Sequence, residues 1–278
     1  MLAEYVVRSF SGAETPSETQ LRERMTRFVP VLAAIDQSVS AEEQVLVVKE
    51  LLARLRVSMD VGTSLKEVDV EPWLDSRRST IDPFYWTRFA NHLQRDWAPG
   101  VLRNFDRTTD EILDLCGNPA DTRSWNRRGL VIGDVQSGKT ATYTALCCKA
   151  ADAGYQAIVL LTGTLESLRR QTQQRLDEGF AGLDSSEYLP SGKVAPKNRA
   201  IGAGLSNQSR FAAVFTSRTR DFSKDVLNSH QLTLRAVKEP VLFVVKKHKS
   251  IIENLATWLQ SYNSDNDGRI SESLLLID

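Results

Sequence analysis

Eight consecutive residues, Gly133, Asp134, Val135, Gln136, Ser137, Gly138, Lys139 and Thr140, constrain this chain more than any other feature. They match the spacing G-x-x-x-x-G-K-[ST]. Upstream, Gly129 to Val135 is a short apolar run rich in β-branched residues, and downstream Gly138 to Ala153 has the composition of a helix. A strand that turns tightly into a helix can curl successive backbone N–H groups round a phosphate chain, and glycines at 133 and 138 allow turns that a Cβ would block. Lys139 then brings a cation to the β- and γ-phosphates, the Thr140 hydroxyl ligates Mg²⁺, and the positive end of the helix adds its field. Residues 133–140 are therefore the expected binding segment for ATP and Mg²⁺. The bare spacing also arises by chance in large sequence sets. What separates this instance from chance is its context, including a second apolar run at 157–163 placed as one β-α-β unit requires.

From Arg127 onward the pattern alternates. Residues 129–135, 157–163, 211–217, 240–247 and 273–278 read as strands, and 138–153, 165–178 and 249–262 as helices. A polar loop fills 182–208. Strands that are apolar along both faces, separated by helices, predict an α/β fold with a parallel sheet flanked by helices. Residues 1–120 read instead as a mainly helical region, ahead of the α/β unit at 121–278. Ser17 with Gln20, and Ser40 with Glu43, form capping boxes that open two helices. Pro30 is expected to kink the first or end it early. Ile81 to Trp97 and Thr108 to Cys116 read as two more, the last stopped by Gly117, Asn118 and Pro119.

Composition excludes several classes. The 278 residues carry 35 basic and 35 acidic side chains. Residues 1–128 hold 17 basic and 20 acidic groups, net −3, and the remainder 18 and 15, net +3, so neither part has the dense basic footprint of a dedicated nucleic-acid-binding domain. No run of about 18 apolar residues is present to span a membrane, and the first residues lack the pattern of a signal peptide. Cys116, Cys147 and Cys148, with His92, His230 and His248, have neither disulfide nor zinc spacing, and a cytoplasmic location is the default.

Two further segments carry chemistry. Leu274, Leu275, Leu276, Ile277 and Asp278 form an apolar strand ending in a carboxylate, which would hold Mg²⁺ beside Thr140. Lys139 and Asp278 are thus the expected catalytic residues, and Thr140 and Asp278 the metal ligands. Between Leu160 and Arg175 a strand ends in Thr162, Gly163 and Thr164, and a helix then presents Arg169 and Arg170. Those five residues could bind a nucleic-acid backbone through N–H groups and cations. The same pattern equally describes an N-capped surface helix with a solvated basic face.

Taken together, GDVQSGKT, LLTGTLESLRRQTQQR and LLLID resemble the first, RecA-like motor lobe of superfamily-two helicases. The stretch RGLVIGDVQSGKT, the T-G-T turn, and PVLFVVKKHKS followed by Leu255 to Leu259 are more closely similar to the bacterial Z-one domain proteins, a helicase-related group that carries an endonuclease label. The resemblance covers about residues 83–278. It implies a RecA-like P-loop NTPase lobe, incomplete at its C-terminus and preceded by the helical region, that binds ATP and Mg²⁺ and acts on nucleic acid, DNA in the first instance. The family pattern continues past Ile277 with further acidic residues, an inner strand and a second lobe. The chain is accordingly expected to be an N-terminal fragment, inactive by itself and with exposed apolar edges.

Smaller groups have two readings each. Lys246, Lys247 and Lys249 read as phosphate contacts or as a solvated charge run. Trp125 and Arg128, just upstream of the 129–135 run, could stack on a base, although packing fits Trp125 better. Phe84, Tyr85, Trp86 and Trp97 read as helical core rather than as a stacking platform. Three other functions compete with a motor. A nuclease would need an acidic D…E-x-K cluster, which is not evident; a nucleotide-gated interaction module would bind ATP without turnover; a P-loop kinase would need an Arg-rich lid.

Overall fold

The computed structural model describes residues 6, 9, 17–33, 39–54, 71–132, 138–186, 199–223 and 233–278. Its centre is a four-stranded sheet of β1 (Ala157–Thr162), β2 (Ala213–Val214), β3 (Val241–Lys246) and β4 (Leu274–Ile277), in the order β2-β3-β1-β4. Every pairing is parallel, with Ala157 opposite Val241 and Leu274. Side chains alternate across the pleat, so β1 and β3 feed two cores at once. Ile158, Leu160, Leu242 and Val244 point into one, and Ala157, Val159, Val241, Phe243 and Val245 into the other.

Helices cover both faces. In chain order they are α1 (Glu18–Ala33), α2 (Ala41–Arg54), α3 (Leu74–Arg77), α4 (Phe84–Leu93), α5 (Pro99–Leu115), α6 (Lys139–Ala153), α7 (Glu166–Leu176) and α8 (Lys249–Asn263). The first face carries α4, α5 and α6, with Tyr85, Phe89, Phe105, Leu113, Ala145 and Leu146 against Leu160 and Leu242. The second carries α8 through Leu255 and Trp258. A core thus runs across residue 120, joining the helical region to the sheet. Buried Lys149 on α6 reinforces the junction: its ammonium donates to Asp106 Oδ1 and Asp110 Oδ1 of α5 at 2.5 and 2.6 Å and lies 4.3 Å from the Trp86 ring centre. On α4, the Tyr85 and Trp86 N–H groups donate to the Asp152 carboxylate at 2.9 and 2.8 Å, and burial pushes that carboxyl up to about 7 against the pull of those bonds.

Both capping boxes form. Ser17 N–H donates to Gln20 Oε1 at 2.8 Å and Gln20 N–H to Ser17 Oγ at 3.3 Å; Ser40 and Glu43 do the same at 2.8 and 3.2 Å. Helix α1 contains Pro30 and is described as far as Ala33, and α1 and α2 close a smaller core with Ala98 and Val101. Helix α5 begins at Pro99, well before the expected Thr108, because a proline at the first helical position needs no donor and already has the right φ. No described helix is long and apolar enough to cross a membrane.

Two expected strands are corrected. Residues 129–132 form no strand, and Leu130 and Ile132 are 84% and 87% exposed. An apolar run becomes a strand only where a ladder accepts it. On the side of β4 away from β1 no described strand pairs, and Leu276 there is half exposed. Residues 211–217 yield only Ala213–Val214 as strand. The Val244 N–H, which a longer β2 could have bonded, donates instead to Thr216 Oγ1 at 2.8 Å. The 182–208 loop is described at its ends, where Leu183 and Ala200 bridge and Gly202–Leu205 forms a 3₁₀ turn.

Candidate nucleotide-binding site

Gly154, at φ +110, closes α6, and its N–H donates to the Ala150 and Ala151 carbonyls. Only residues 154–156 then separate α6 from β1, so the helix runs back along the sheet and its N-terminus lies at the C-terminal edge of the strands. Gly138 stands there at φ +74, a left-handed backbone that suits glycine, and Lys139 and Thr140 open the helix. Among the described residues no side chain caps this end, which leaves its first N–H groups for an anion. Of the expected binding segment, Gly133, Asp134, Val135, Gln136 and Ser137 lie outside the described residues.

Gly138, Lys139 and Thr140 border a cleft of about 490 Å³ whose other walls are α4 with Trp97, and α7 with the turn that follows it. That turn, Asp177–Ala181, is π-helical. It puts Glu178 into the cleft beside Arg175, and a buried polar network fixes it. Gln173 Nε2 donates to Asp177 Oδ1 at 2.9 Å, and Ser185 Oγ and Arg218 Nε to Asp177 Oδ2 at 2.7 and 3.1 Å. Burial raises the Asp177 carboxyl, and the bonds from Gln173 and Ser185 and the charge of Arg218 oppose the rise. Behind the turn, buried Arg88 donates to the Phe180 and Ala181 carbonyls. Gly202 presses on Glu178 so closely that a Cβ would stand 2.2 Å from its carbonyl oxygen. Beside the lysine, burial raises the Tyr143 hydroxyl, while hydrogen bonds with Thr140 and Thr172 work against it.

The other expected site residues divide. Asp278 ends β4 and pairs with Lys247; it does not line the cleft. Thr162 is buried and donates its hydroxyl to the Val245 carbonyl at 3.1 Å, while Gly163 and Thr164 are exposed. Arg169 is 0% exposed, which withdraws it from a nucleic-acid backbone. Its guanidinium donates to Glu166 Oε1 at 3.0 and 2.8 Å and to the Arg218 carbonyl at 3.3 Å, and faces Asp221 at 3.8 Å. Arg170 is exposed, 3.3 Å from Glu166 Oε1. Burial pushes Glu166 up, but bonds from Arg169 and Lys246 and the Arg169 charge outweigh it and bring the carboxyl to about 2. Lys246 is tied to Glu166 at 3.0 Å, and Lys249 lies 3.8 Å from Glu253. Trp125 packs on Gly117 and edge-on to Tyr155, and Phe84, Tyr85 and Trp86 belong to the core.

No family model, curated protein or solved structure matches the chain.

The donor set fits a nucleotide with Mg²⁺. An uncapped helix start, a lysine and a threonine hydroxyl converge on one cleft. Among the described residues no group of three or more His, Cys, Asp or Glu could cage a metal by itself. Magnesium needs no such cage, since one or two protein oxygens suffice when phosphates and water complete its shell.

Proposed function

We propose that this chain binds ATP with Mg²⁺ and is the RecA-like lobe of a helicase-type P-loop ATPase of the Z-one kind, acting on DNA in the bacterial cytoplasm. The observation that carries the nucleotide reading is left-handed Gly138 followed by Lys139 and Thr140 at the uncapped start of a helix that faces a cleft. Lys139 neutralises phosphate charge, the α6 N–H groups orient the terminal oxygens, and Thr140 gives the metal an oxygen; Asp278 would be the second, once its pairing with Lys247 is exchanged for the metal. The bound nucleotide supplies the phosphoanhydride whose cleavage drives the motor. For DNA, the exposed Gly163, Thr164 and Arg170 are the surface that supports the reading.

Calorimetric titration with MgATP tests the nucleotide reading. The wild-type chain binds, and Lys139→Ala weakens binding by about tenfold or more, because a charged phosphate contact is lost. No heat from the folded wild-type chain would end the reading.

A further inference from the structure

The cleft extends beyond what a phosphate chain needs, and its walls differ in chemistry. The α6 wall is cationic and rich in N–H donors. The opposite wall, Phe89, Leu93 and Trp97, is apolar and aromatic and would give a phosphate nothing. Trp97 is half-buried and braced edge-on by Phe105, with ring centres 5.0 Å apart, so its indole is positioned without any ligand. His92 also lines the cleft. Its Nδ1 is shielded from solvent and, among the described residues, has no hydrogen-bond partner, so a ligand in the cleft meets the other edge of the ring. Burial, and secondarily the charge of Arg95, hold the imidazole below its ordinary pKa, so at neutral pH it is an uncharged donor and acceptor, suited to a heterocycle edge rather than a phosphate. Glu178, on the third wall, would repel a second phosphate but accepts bonds from sugar hydroxyls; its Oε1 already takes one from Gln174 Nε2 at 3.0 Å. Trp125, upstream of residues 129–132, is occupied by Gly117 and Tyr155.

We infer that the cleft is a nucleoside subsite: the base lies against Trp97 and the Phe89–Leu93 face of α4, His92 meets its edge, and Glu178 faces the ribose. The inference rests on the nucleotide reading of residues 133–140, and it makes a helix of the region before residue 120 part of the binding site. A volume of about 490 Å³ is in the range of small-molecule sites, for which one apolar wall and a few polar groups are the usual make-up.

Binding of MgATP and of magnesium tripolyphosphate, measured by calorimetry on the whole chain, separates the two levels. Wild type is expected to bind MgATP about tenfold or more tighter than tripolyphosphate, the worth of one stacked base. His92→Ala should weaken MgATP and leave tripolyphosphate unchanged, and Glu178→Gln should weaken MgATP without weakening tripolyphosphate, whereas Lys139→Ala weakens both. Trp97→Phe keeps a ring against Phe105 and so guards against the unfolding that an alanine there could cause; it should lose part of the MgATP preference. Equal affinity of wild type for the two ligands, or equal weakening of both in the His92 and Glu178 variants, overturns the nucleoside subsite while the phosphate cradle stands. If wild type binds neither ligand, the nucleotide reading fails and the subsite with it.

Discussion

Arg169 and Arg170 are neighbours in sequence with opposite fates. One is sealed between α7 and the ends of β3 and of the 218–221 segment, and the other faces solvent. Replacing Arg169 by alanine removes the buried partner of Glu166 and Asp221, both of which keep some access to water and the charge of Lys246. Urea unfolding should therefore show a loss of about 2–3 kcal/mol, below the cost of breaking a wholly buried pair. Arg170→Ala should stay within about 0.5 kcal/mol, as exposed substitutions do. Equal stability of the two variants would mean that Arg169 is not the internal tie described here. The two arginines could not be told apart in the sequence, because the buried face of α7 is Arg169, Gln173 and Leu176, and periodicity of apolar residues does not mark a face that is two-thirds polar. By contrast Lys139 and Thr140 were legible, since the spacing that names them also demands the helix that starts there. Arg175 and Glu178 were not; they reach the cleft only through packing of elements far apart in the chain.

Among the elements, the π turn after α7 is tied by polar side chains from several segments, Gln173, Ser185 and Arg218 on Asp177 and Arg88 on its last carbonyls, and sequence gives no sign of it. Such turns leave an i→i+4 ladder unfinished, and here the Phe180 and Ala181 carbonyls accept from Arg88 and the Gly182 carbonyl accepts from the Ile201 N–H. A Cβ at position 204 would lie 1.9 Å from the Gly182 carbonyl oxygen, where backbone cannot give way. Gly204→Ala is expected to cost about 3 kcal/mol in chemical denaturation and to displace Glu178 from the cleft. Gly129→Ala, with nothing near its Cβ, is the matched control and should be close to neutral. A neutral Gly204→Ala would show that the turn is free to shift. Elsewhere local signals were enough: the two capping boxes, and the apolar runs that became β1, β3 and β4. The run at 129–132 shows the limit of such signals, because strand propensity names a candidate and a neighbouring strand decides.

For the whole molecule the question is where an independently folding unit begins. Composition changes near residue 127, and a cut at 120 looks natural in the sequence. The core that spans residue 120 predicts a different outcome. Tyr85, Phe89, Phe105 and Leu113 are each 5% exposed or less, and they cover the α6 side of the sheet. Burying one such side chain is worth about 1.5–3 kcal/mol, and a domain holds only about 5–15 kcal/mol in total. A fragment of residues 121–278 would also leave Lys149 without Asp106 and Asp110. It should therefore show no cooperative transition by circular dichroism in urea. Among the described residues, a fragment of residues 71–278 keeps that core and loses the α1 and α2 side chains that pack on Ala98, Val101 and Trp97 in the smaller one. It should unfold in a single transition at somewhat lower urea than the full chain. Because the nucleoside subsite uses α4, the longer fragment should also retain the preference for MgATP over tripolyphosphate. Cooperative unfolding of residues 121–278 would place the domain boundary at the composition change and make α4 and α5 an appendage, in which case their role in the cleft could not be structural and binding at once.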